Sequence, residues 1–212
     1  MENPTRTPQF LAMMEERRRA LRERHARKLP PQGTFTWEVG CGHGHFLTAY
    51  AQAYPQEICI GVDIVSERIE RAVKKRDRAK LANLHFVHAE ARLFLETLPA
   101  GVTFSRLFVL FPDPWPKLRH HKHRIMQPDF LADAAKRAGQ GARLYFRTDF
   151  TPYYDDTKAV FESHPDWTLL SSEGAPGREP WPYERETVFQ SRAETYHSLV
   201  AGLKSPPGPL QY

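Results

Sequence analysis

Residues 38–44 read Glu38-Val39-Gly40-Cys41-Gly42-His43-Gly44, and they join a short apolar run to a helical stretch. Glycine lets the backbone turn sharply and lets a ligand approach the main chain closely. The spacing is G-x-G-x-G, whereas dinucleotide-binding folds carry G-x-G-x-x-G and hold a pyrophosphate at the helix that follows. The carboxylate of Glu38, two residues before the first glycine, would repel a pyrophosphate. It favours a ligand that carries positive charge.

The chain around this turn alternates apolar runs with helical stretches. Strands are predicted over residues 34–39, 58–62, 84–87, 104–111 and 142–147, and helices over residues 46–54, 66–79, 92–98 and 128–137. Ser66 is a candidate N-cap for the second of these helices. Such alternation is typical of an α/β fold with a mainly parallel sheet, helices on both faces and right-handed crossovers.

The pattern loosens after residue 150. Pro152 is well placed in the first turn of a helix that runs to about Ser163. Residues 167–170 and 194–200 are predicted to form two more strands, and antiparallel strands here would complete the sheet. We therefore predict a Rossmann-like α/β fold with a mostly parallel seven-stranded sheet.

The sequence divides into three predicted segments. Residues 1–33 are a basic N-terminal arm, whose helix over residues 9–28 is rich in arginine and has a poor apolar stripe. A helix of this kind either lies solvated on the surface or contacts something outside the domain, such as RNA. Residues 34–204 form the α/β domain, and the proline-rich residues 205–212 are expected to be a disordered tail.

Composition sets broad limits on partners. The chain has 212 residues and a formal net charge of +5, which favours an anionic partner such as nucleic acid without identifying one. Its two cysteines provide no disulfide framework, and no apolar run is long enough to span a membrane. We expect a cytoplasmic protein, a monomer or homodimer, with no membrane and no metal as partner. The histidines at positions 43, 45, 120, 121 and 123 lack the companions of a zinc site.

An acidic residue stands at or just beyond the carboxyl end of each of the first five predicted strands: Glu38, Asp63, Glu90, Asp113 and Asp149. Ligands of open parallel sheets bind outside this edge, so the five side chains are expected to converge there. Asp63 can accept hydrogen bonds from two ribose hydroxyls, and Glu90 is placed to meet an adenine amino group. S-adenosylmethionine combines these groups with a sulfonium and an ammonium charge.

We therefore predict that Glu38, Gly40, Asp63 and Glu90 bind S-adenosylmethionine, in the manner of a class I methyltransferase. A nicotinamide or flavin enzyme is the weaker alternative, because either cofactor also presents a ribose to Asp63. A tight turn with a purely structural role is the third interpretation.

The loop after the fourth strand runs from Phe111 to Arg124 and reads Phe-Pro-Asp-Pro-Trp-Pro-Lys-Leu-Arg-His-His-Lys-His-Arg. Its three prolines restrain the backbone around Asp113. Trp115 offers a flat face on which a base can stack. Lys117, Arg119, Lys122 and Arg124 supply four positive charges that favour phosphate contacts. Together these features suit a nucleobase in a polynucleotide, the alternative being a rigid, solvated surface loop.

This loop resembles the F-P-D-P-W-x-K-x-R-H-x-K-R-R segment of the tRNA (guanine-N7-)-methyltransferases, the TrmB family. The resemblance extends over most of the chain. Residues 38–47 are similar to the family's E-I-G-x-G-x-G-x-F-L, and Thr148-Asp149 with Tyr153 or Tyr154 resembles its T-D-x-x-x-Y. Residues 181–184 fall where the family has T-x-[FY]-E. Trp181 and Pro182 depart from that pattern, and His123 stands where an arginine is common.

The resemblance implies the function and a role for each matched position. It implies transfer of a methyl group from S-adenosylmethionine to N7 of a guanosine in the tRNA variable loop. Asp113 would be the active-site acid, at the border of cofactor and guanine. Lys117, Asp149, Tyr183 and Glu184 would contact tRNA. Two alternatives stay open: a methyltransferase that acts on another RNA, on DNA or on protein, and a tRNA-binding module without catalysis.

Overall fold

The computed structural model of the protein describes residues 7–29, 32–172, 180–184 and 195–204. The strands are β1 (Gln32–Val39), β2 (Ile58–Asp63), β3 (Leu84–His88), β4 (Gly101–Leu110), β5 (Ala138–Thr148), β6 (Trp167–Ser171) and β7 (His197–Leu203). The helices are α1 (Pro8–Lys28), α2 (His45–Ala53), α3 (Ser66–Ala79), α4 (Ala91–Thr97), α5 (Pro128–Ala135) and α6 (Thr151–Ser163). A 3-10 helix spans Leu118–His123.

The seven strands form one sheet in the order β3-β2-β1-β4-β5-β7-β6. The first five are parallel to one another, and β7 runs antiparallel between β5 and β6. The order reverses at β1, where the chain turns from one half of the sheet to the other. This is the switch point at which open α/β sheets bind their ligands. The predicted Rossmann-like fold and its seven-stranded, mostly parallel sheet are confirmed.

Helices cover both faces of the sheet, because alternate side chains of each strand point to opposite sides. Trp37 of β1 lies on one face, in a core shared with α1, α4, α5 and α6. Cys59 of β2 and Phe108 of β4 lie on the other face, in a core shared with α2 and α3. Both cores are rich in aromatic rings. The glycine turn at residues 40–44 leads from β1 into the helix of the second core.

The polar helix α1 is attached to the domain. Leu21, His25 and Leu29 are buried, and the ring of His25 packs edge-on against Phe94 at 5.0 Å between centroids. His25 Nδ1 lies 3.0 Å from the carbonyl oxygen of Thr97. Burial of the imidazole lowers the pKa of His25. A few buried side chains thus hold a helix whose other faces are charged.

Several local predictions differ from the structure. β4 begins at Gly101 and β5 at Ala138, three and four residues before their predicted starts, and α5 ends at Ala135, two residues before its predicted end. Ser66 is the first residue of α3, and its side chain does not cap it: Val65 is the N-cap, and the Asp63 carboxylate accepts from the Val65 amide at 2.9 Å. The last strand begins at His197, three residues later than predicted, because β5 ends at Thr148 and these two residues are paired. The predicted tail at 205–212 lies outside the described residues. No helix in the described ranges is long and apolar enough to cross a membrane.

Candidate cofactor and substrate site

The five acidic residues lie along the carboxyl edge of the parallel strands, as predicted. Glu38 is the penultimate residue of β1, Asp63 is the last residue of β2, and Glu90 follows β3 by two residues. Asp113 follows β4 by three residues and Asp149 follows β5 by one. Because these strands are parallel, all five residues lie on the sheet edge that contains the switch point between β1 and β4.

The glycine turn uses its three glycines for two different reasons. Gly40, Gly42 and Gly44 have φ angles of +70°, +51° and +67°, in the left-handed region that favours glycine. A Cβ on Gly44 would collide with the ring of Phe86 and with Ala72. A Cβ on Gly40 or Gly42 would come within 4 Å of nothing in the described part of the chain, adjoining residues aside. Gly44 therefore allows close packing, whereas Gly40 and Gly42 leave their main chain accessible to a ligand.

Glu38 is a buried acid with an incomplete set of partners. The residue is 4% exposed, and its Oε2 has no hydrogen-bond partner among the described residues. Burial, and then the nearby charge of Asp63, raise the pKa of Glu38 from 4.5 to about 8, while a hydrogen bond with the backbone of Leu47 lowers it. An unpaired buried carboxyl is costly. A cationic ligand at the glycine turn would supply the missing partner.

Asp63 organises the same turn. Its Oδ2 accepts a hydrogen bond from the Gly42 amide at 2.9 Å, and its Oδ1 accepts from the Val65 amide at 2.9 Å. Arg68 Nη1 lies 3.9 Å from Oδ2. A carboxylate has about four acceptor positions, so these contacts leave acceptor capacity for hydroxyl donors. The acid that closes β2 thereby also fixes the backbone of the glycine turn.

Glu90 is the N-cap of α4. Its two carboxylate oxygens accept from the backbone amides of Arg92 and Leu93 at 3.0 and 2.9 Å. Capping of this kind orients a carboxylate and stabilises the first turn of a helix. Glu90 is nevertheless exposed, at the edge where the predicted adenine site lies.

The Asp113 loop leaves β4 through a strained backbone. Phe111 and Trp115 have φ angles of +50° and +42°, which side-chain-bearing residues rarely adopt. The Phe111 amide donates to the carbonyl of Arg147 at 2.8 Å, which ties the start of the loop to β5. Asp113 is exposed. Within the described ranges, its carboxylate is held by no hydrogen bond or ion pair.

Three of the four basic residues in the loop are exposed: Lys117, Arg119 and Lys122. Trp115 is 37% exposed and packs beside His120 and His123, with ring centroids 5.7 and 5.2 Å away. The remaining surface of the indole is free for stacking. The loop therefore presents an aromatic ring among cations, as the sequence predicted.

Arg124 corrects the prediction of four phosphate-binding cations, because it is 3% exposed. Its guanidinium lies under the loop and contacts main-chain oxygens and Asp156 of α6. The sequence shows no sign of this, since Arg124 looks like the other cations of the run.

Residues 180–184 are anchored by Arg147, a residue that sequence reasoning missed. Arg147 donates from Nη1 and Nη2 to the Glu184 carboxylate at 3.0 and 2.7 Å, and from Nε to Ser198 Oγ at 3.0 Å. Its guanidinium also stacks on Trp181, 3.8 Å from the ring centroid. The signal was available, because Arg147 is a charge inside the apolar run of β5.

Tyr183 and Glu184, predicted to contact tRNA, are engaged within the protein. The Tyr183 ring packs against Phe46, Tyr50 and Tyr54, with centroids 5.6 to 6.1 Å away. Both residues nonetheless lie in a segment that Arg147 holds near the carboxyl end of β5. Asp149 itself is exposed, after the buried Thr148. Tyr153 and Tyr154, the two candidate tyrosines of the T-D-x-x-x-Y pattern, are both buried, and the Tyr153 hydroxyl accepts from the Met126 amide at 3.2 Å.

The described residues fit S-adenosylmethionine. The accessible main chain at Gly40 and Gly42, the unpaired buried oxygen of Glu38 and the carboxylate of Asp63 suit a cationic nucleoside. In the part of the chain that the structure describes, no cluster of three or more His, Cys, Asp or Glu side chains could hold a metal ion.

Comparison with known proteins identifies the family of the chain. A family model described as "Putative methyltransferase" matches residues 32–198. A tRNA (guanine-N(7)-)-methyltransferase of a Synechococcus strain is 38% identical over 133 residues, covering 63% of this chain and 56% of that protein. The enzyme of the same name from Thermosynechococcus vestitus is 30% identical over 149 residues, covering 70% of each. The chain thus spans little more than half the length of the first of these relatives.

One solved structure shows how far the fold is shared. The 16S rRNA (adenine(1408)-N(1))-methyltransferase of Catenulisporales acidiphilia, with its cosubstrate SAM, has a TM-score of 0.56 at 18% identity, and covers 89% of this chain and 94% of that one. The fold is that of the class I methyltransferases, and the family model that covers most of the chain is that of a methyltransferase. Within this class, the chain belongs to the tRNA (guanine-N7-)-methyltransferase family.

Proposed function

We propose that this protein transfers a methyl group from S-adenosylmethionine to N7 of a guanosine in the variable loop of tRNA, forming 7-methylguanosine. The observation that carries the proposal is the Asp113 loop. It presents an exposed acid, a partly exposed Trp115 and exposed cations at the same sheet edge as the glycine turn. The relatives bear the name of this activity.

We assign the cofactor side of the site to Glu38, Gly40, Asp63, Glu90 and Asp113. Glu38 would face the positive charge of the ligand, Asp63 its ribose and Glu90 its adenine. We assign the tRNA side to Lys117, Asp149, Tyr183 and Glu184. Support for the last two comes from the anchoring of their segment by Arg147, near the carboxyl end of β5, rather than from free polar groups.

The proposed methyl transfer makes little use of acid–base catalysis. When bound, S-adenosylmethionine supplies a methyl group on a positively charged sulfur. Guanine N7 has a lone pair and no proton, so no general base is needed, and the main task of the protein is to hold the two reactants in line. The methylated base is cationic. The exposed carboxylate of Asp113 is suited to stabilise that charge as it develops and to accept from the guanine edge.

The test is to incubate tRNA with the protein and S-adenosylmethionine and to analyse the nucleosides by mass spectrometry. We expect 7-methylguanosine from the wild type. Measured at saturating S-adenosylmethionine, Asp113→Asn should lower the rate by about a hundredfold or more, the loss typical of one stabilising group. A different methylated nucleoside would overturn the substrate assignment. Full activity of Asp113→Asn would overturn the role of that residue.

Location follows from the substrate. We infer that the protein acts in the cytoplasm, where tRNA is found and where thiols stay reduced. Both of its cysteines, Cys41 and Cys59, are free and buried.

A further inference from the structure

Arg124 makes an unusual set of contacts for a residue at the end of a basic surface run. Its side chain is 2% exposed. Nε donates to the carbonyl of Pro114 at 2.7 Å, and Nη2 lies 3.5 Å from the carbonyl of Trp115. Nη1 donates to Asp156 Oδ2 at 2.5 Å, and the guanidinium lies over the Tyr153 ring, 4.7 Å from its centroid.

These contacts supply hydrogen-bond donors that the loop sequence itself lacks. Pro112, Pro114 and Pro116 have no amide hydrogen, so the loop around Asp113 has few donors with which to satisfy its own carbonyls. Trp115 is also in the left-handed region, at a φ of +42°, which surrounding contacts must maintain. Arg124 supplies donors to the two carbonyls that directly follow Asp113.

The other end of this guanidinium is fixed to α6. Asp156 and Tyr153 both lie on that helix, which packs against β5, β6 and β7. The Tyr153 hydroxyl accepts from the Met126 amide, two residues after Arg124, and this holds the end of the loop to the same helix. A planar fork with several donors can bridge a loop and a helix in this way, which a lysine ammonium cannot.

We infer that Arg124 is a positioning residue, which acts through the loop backbone to fix Asp113 at the carboxyl edge and does not bind tRNA phosphate. It differs in this from Lys117, Arg119 and Lys122, whose side chains are exposed. The inference rests on the proposed function only for its effect on rate. The hydrogen bonds that join Arg124 to the Pro114 carbonyl and to Asp156, which we call the Arg124 tether, are present in the protein without ligand.

The experiment compares Arg124→Lys and Arg124→Met with Arg119→Met, which removes the same charge from an exposed position of the same loop. For each variant we would measure the single-turnover methylation rate at saturating tRNA and S-adenosylmethionine. We would also measure the Kd for tRNA at several salt concentrations, and hydrogen exchange of the peptide that covers residues 111–124.

Both Arg124 variants should lower the single-turnover rate by about tenfold or more, because small misplacements of a reacting group are costly. Their Kd for tRNA should stay within about threefold of the wild type, with the same salt slope. Exchange in the loop should be faster. Arg119→Met should instead weaken tRNA binding and reduce the salt slope by about one, with wild-type exchange.

Two results would overturn the inference: a reduced salt slope with an unchanged single-turnover rate in Arg124→Met, or a full rate and wild-type exchange in Arg124→Lys. If Arg124→Met does not fold, Arg124→Lys and Asp156→Ala, which removes the hydrogen-bond acceptor on the α6 side, decide the question. If the wild type makes no 7-methylguanosine, the proposed function fails, and the exchange measurement still tests the tether.

Discussion

Glu38 is expected to couple the binding of a cationic ligand to the release of a proton. Its pKa is raised to about 8, so the free protein carries a proton there near neutral pH. A cationic ligand favours the carboxylate, and binding of S-adenosylmethionine should therefore expel that proton. We expect the affinity for S-adenosylmethionine to increase as the pH rises from about 6 to about 8, by up to roughly tenfold per unit. Calorimetric titration in two buffers of different ionisation enthalpy measures the proton count directly.

The variant Glu38→Gln is the control for this prediction. It should bind S-adenosylmethionine more weakly and with a flat pH profile over this range. The free protein should respond as well: above its ordinary value of 4.5 the acid is ionised in the unfolded chain but protonated in the folded one. Stability therefore falls as the pH rises from about 4.5 to about 8, and Glu38→Gln should lack this part of the fall. Proton release that persists in Glu38→Gln would assign the coupling to another group.

Helices and strands could be predicted most accurately from the sequence where the apolar residues follow a single periodicity. The strand ends that carry Glu38, Asp63 and Asp149 could be located because buried parallel strands form short apolar runs, and an acid directly follows or closes each run. Side-chain contacts between elements that are far apart in the chain could not be predicted from the sequence. Arg124 looks like Lys117 in the sequence, and its burial is explained only by contacts that the fold creates, with the Pro114 carbonyl and with Tyr153 and Asp156 of α6.

Residues 180–184 form the segment whose structure was least predictable from the sequence. Its hold on β5 depends on Arg147, which bonds Glu184 and stacks on Trp181. Arg147→Met should lower the free energy of unfolding by about 1–2 kcal/mol, a modest value because the Glu184 side chain is 59% exposed and screened by solvent. Denaturant unfolding gives this energy, and tryptophan fluorescence should report a more exposed Trp181.

The matched variant Glu184→Gln keeps the shape of the side chain and loses only its charge. It should cost less than Arg147→Met and leave the emission of Trp181 close to that of the wild type. Unchanged fluorescence in Arg147→Met would mean that the aromatic packing of Tyr183 holds the segment without the arginine.

For the whole molecule, the central question is whether α1 is an appendage or part of the cooperative fold. Its arginines suggest an arm, yet Leu21 is 6% exposed within the larger core and Arg18 bonds Glu96 of α4 at 3.0 Å.

If α1 belongs to the core, Leu21→Ala should lower the free energy of unfolding by about 2–4 kcal/mol, as for other buried leucines. Urea unfolding followed by circular dichroism should then show a single transition with an unchanged slope, because α1 and the sheet unfold together. Arg19→Ala, at a side chain that is 66% exposed, should change the energy by less than about 0.5 kcal/mol. A separate early transition in Leu21→Ala would make α1 an independent arm. A single shifted transition would mean that the charged face of α1 is presented by the same rigid unit that carries the Asp113 loop.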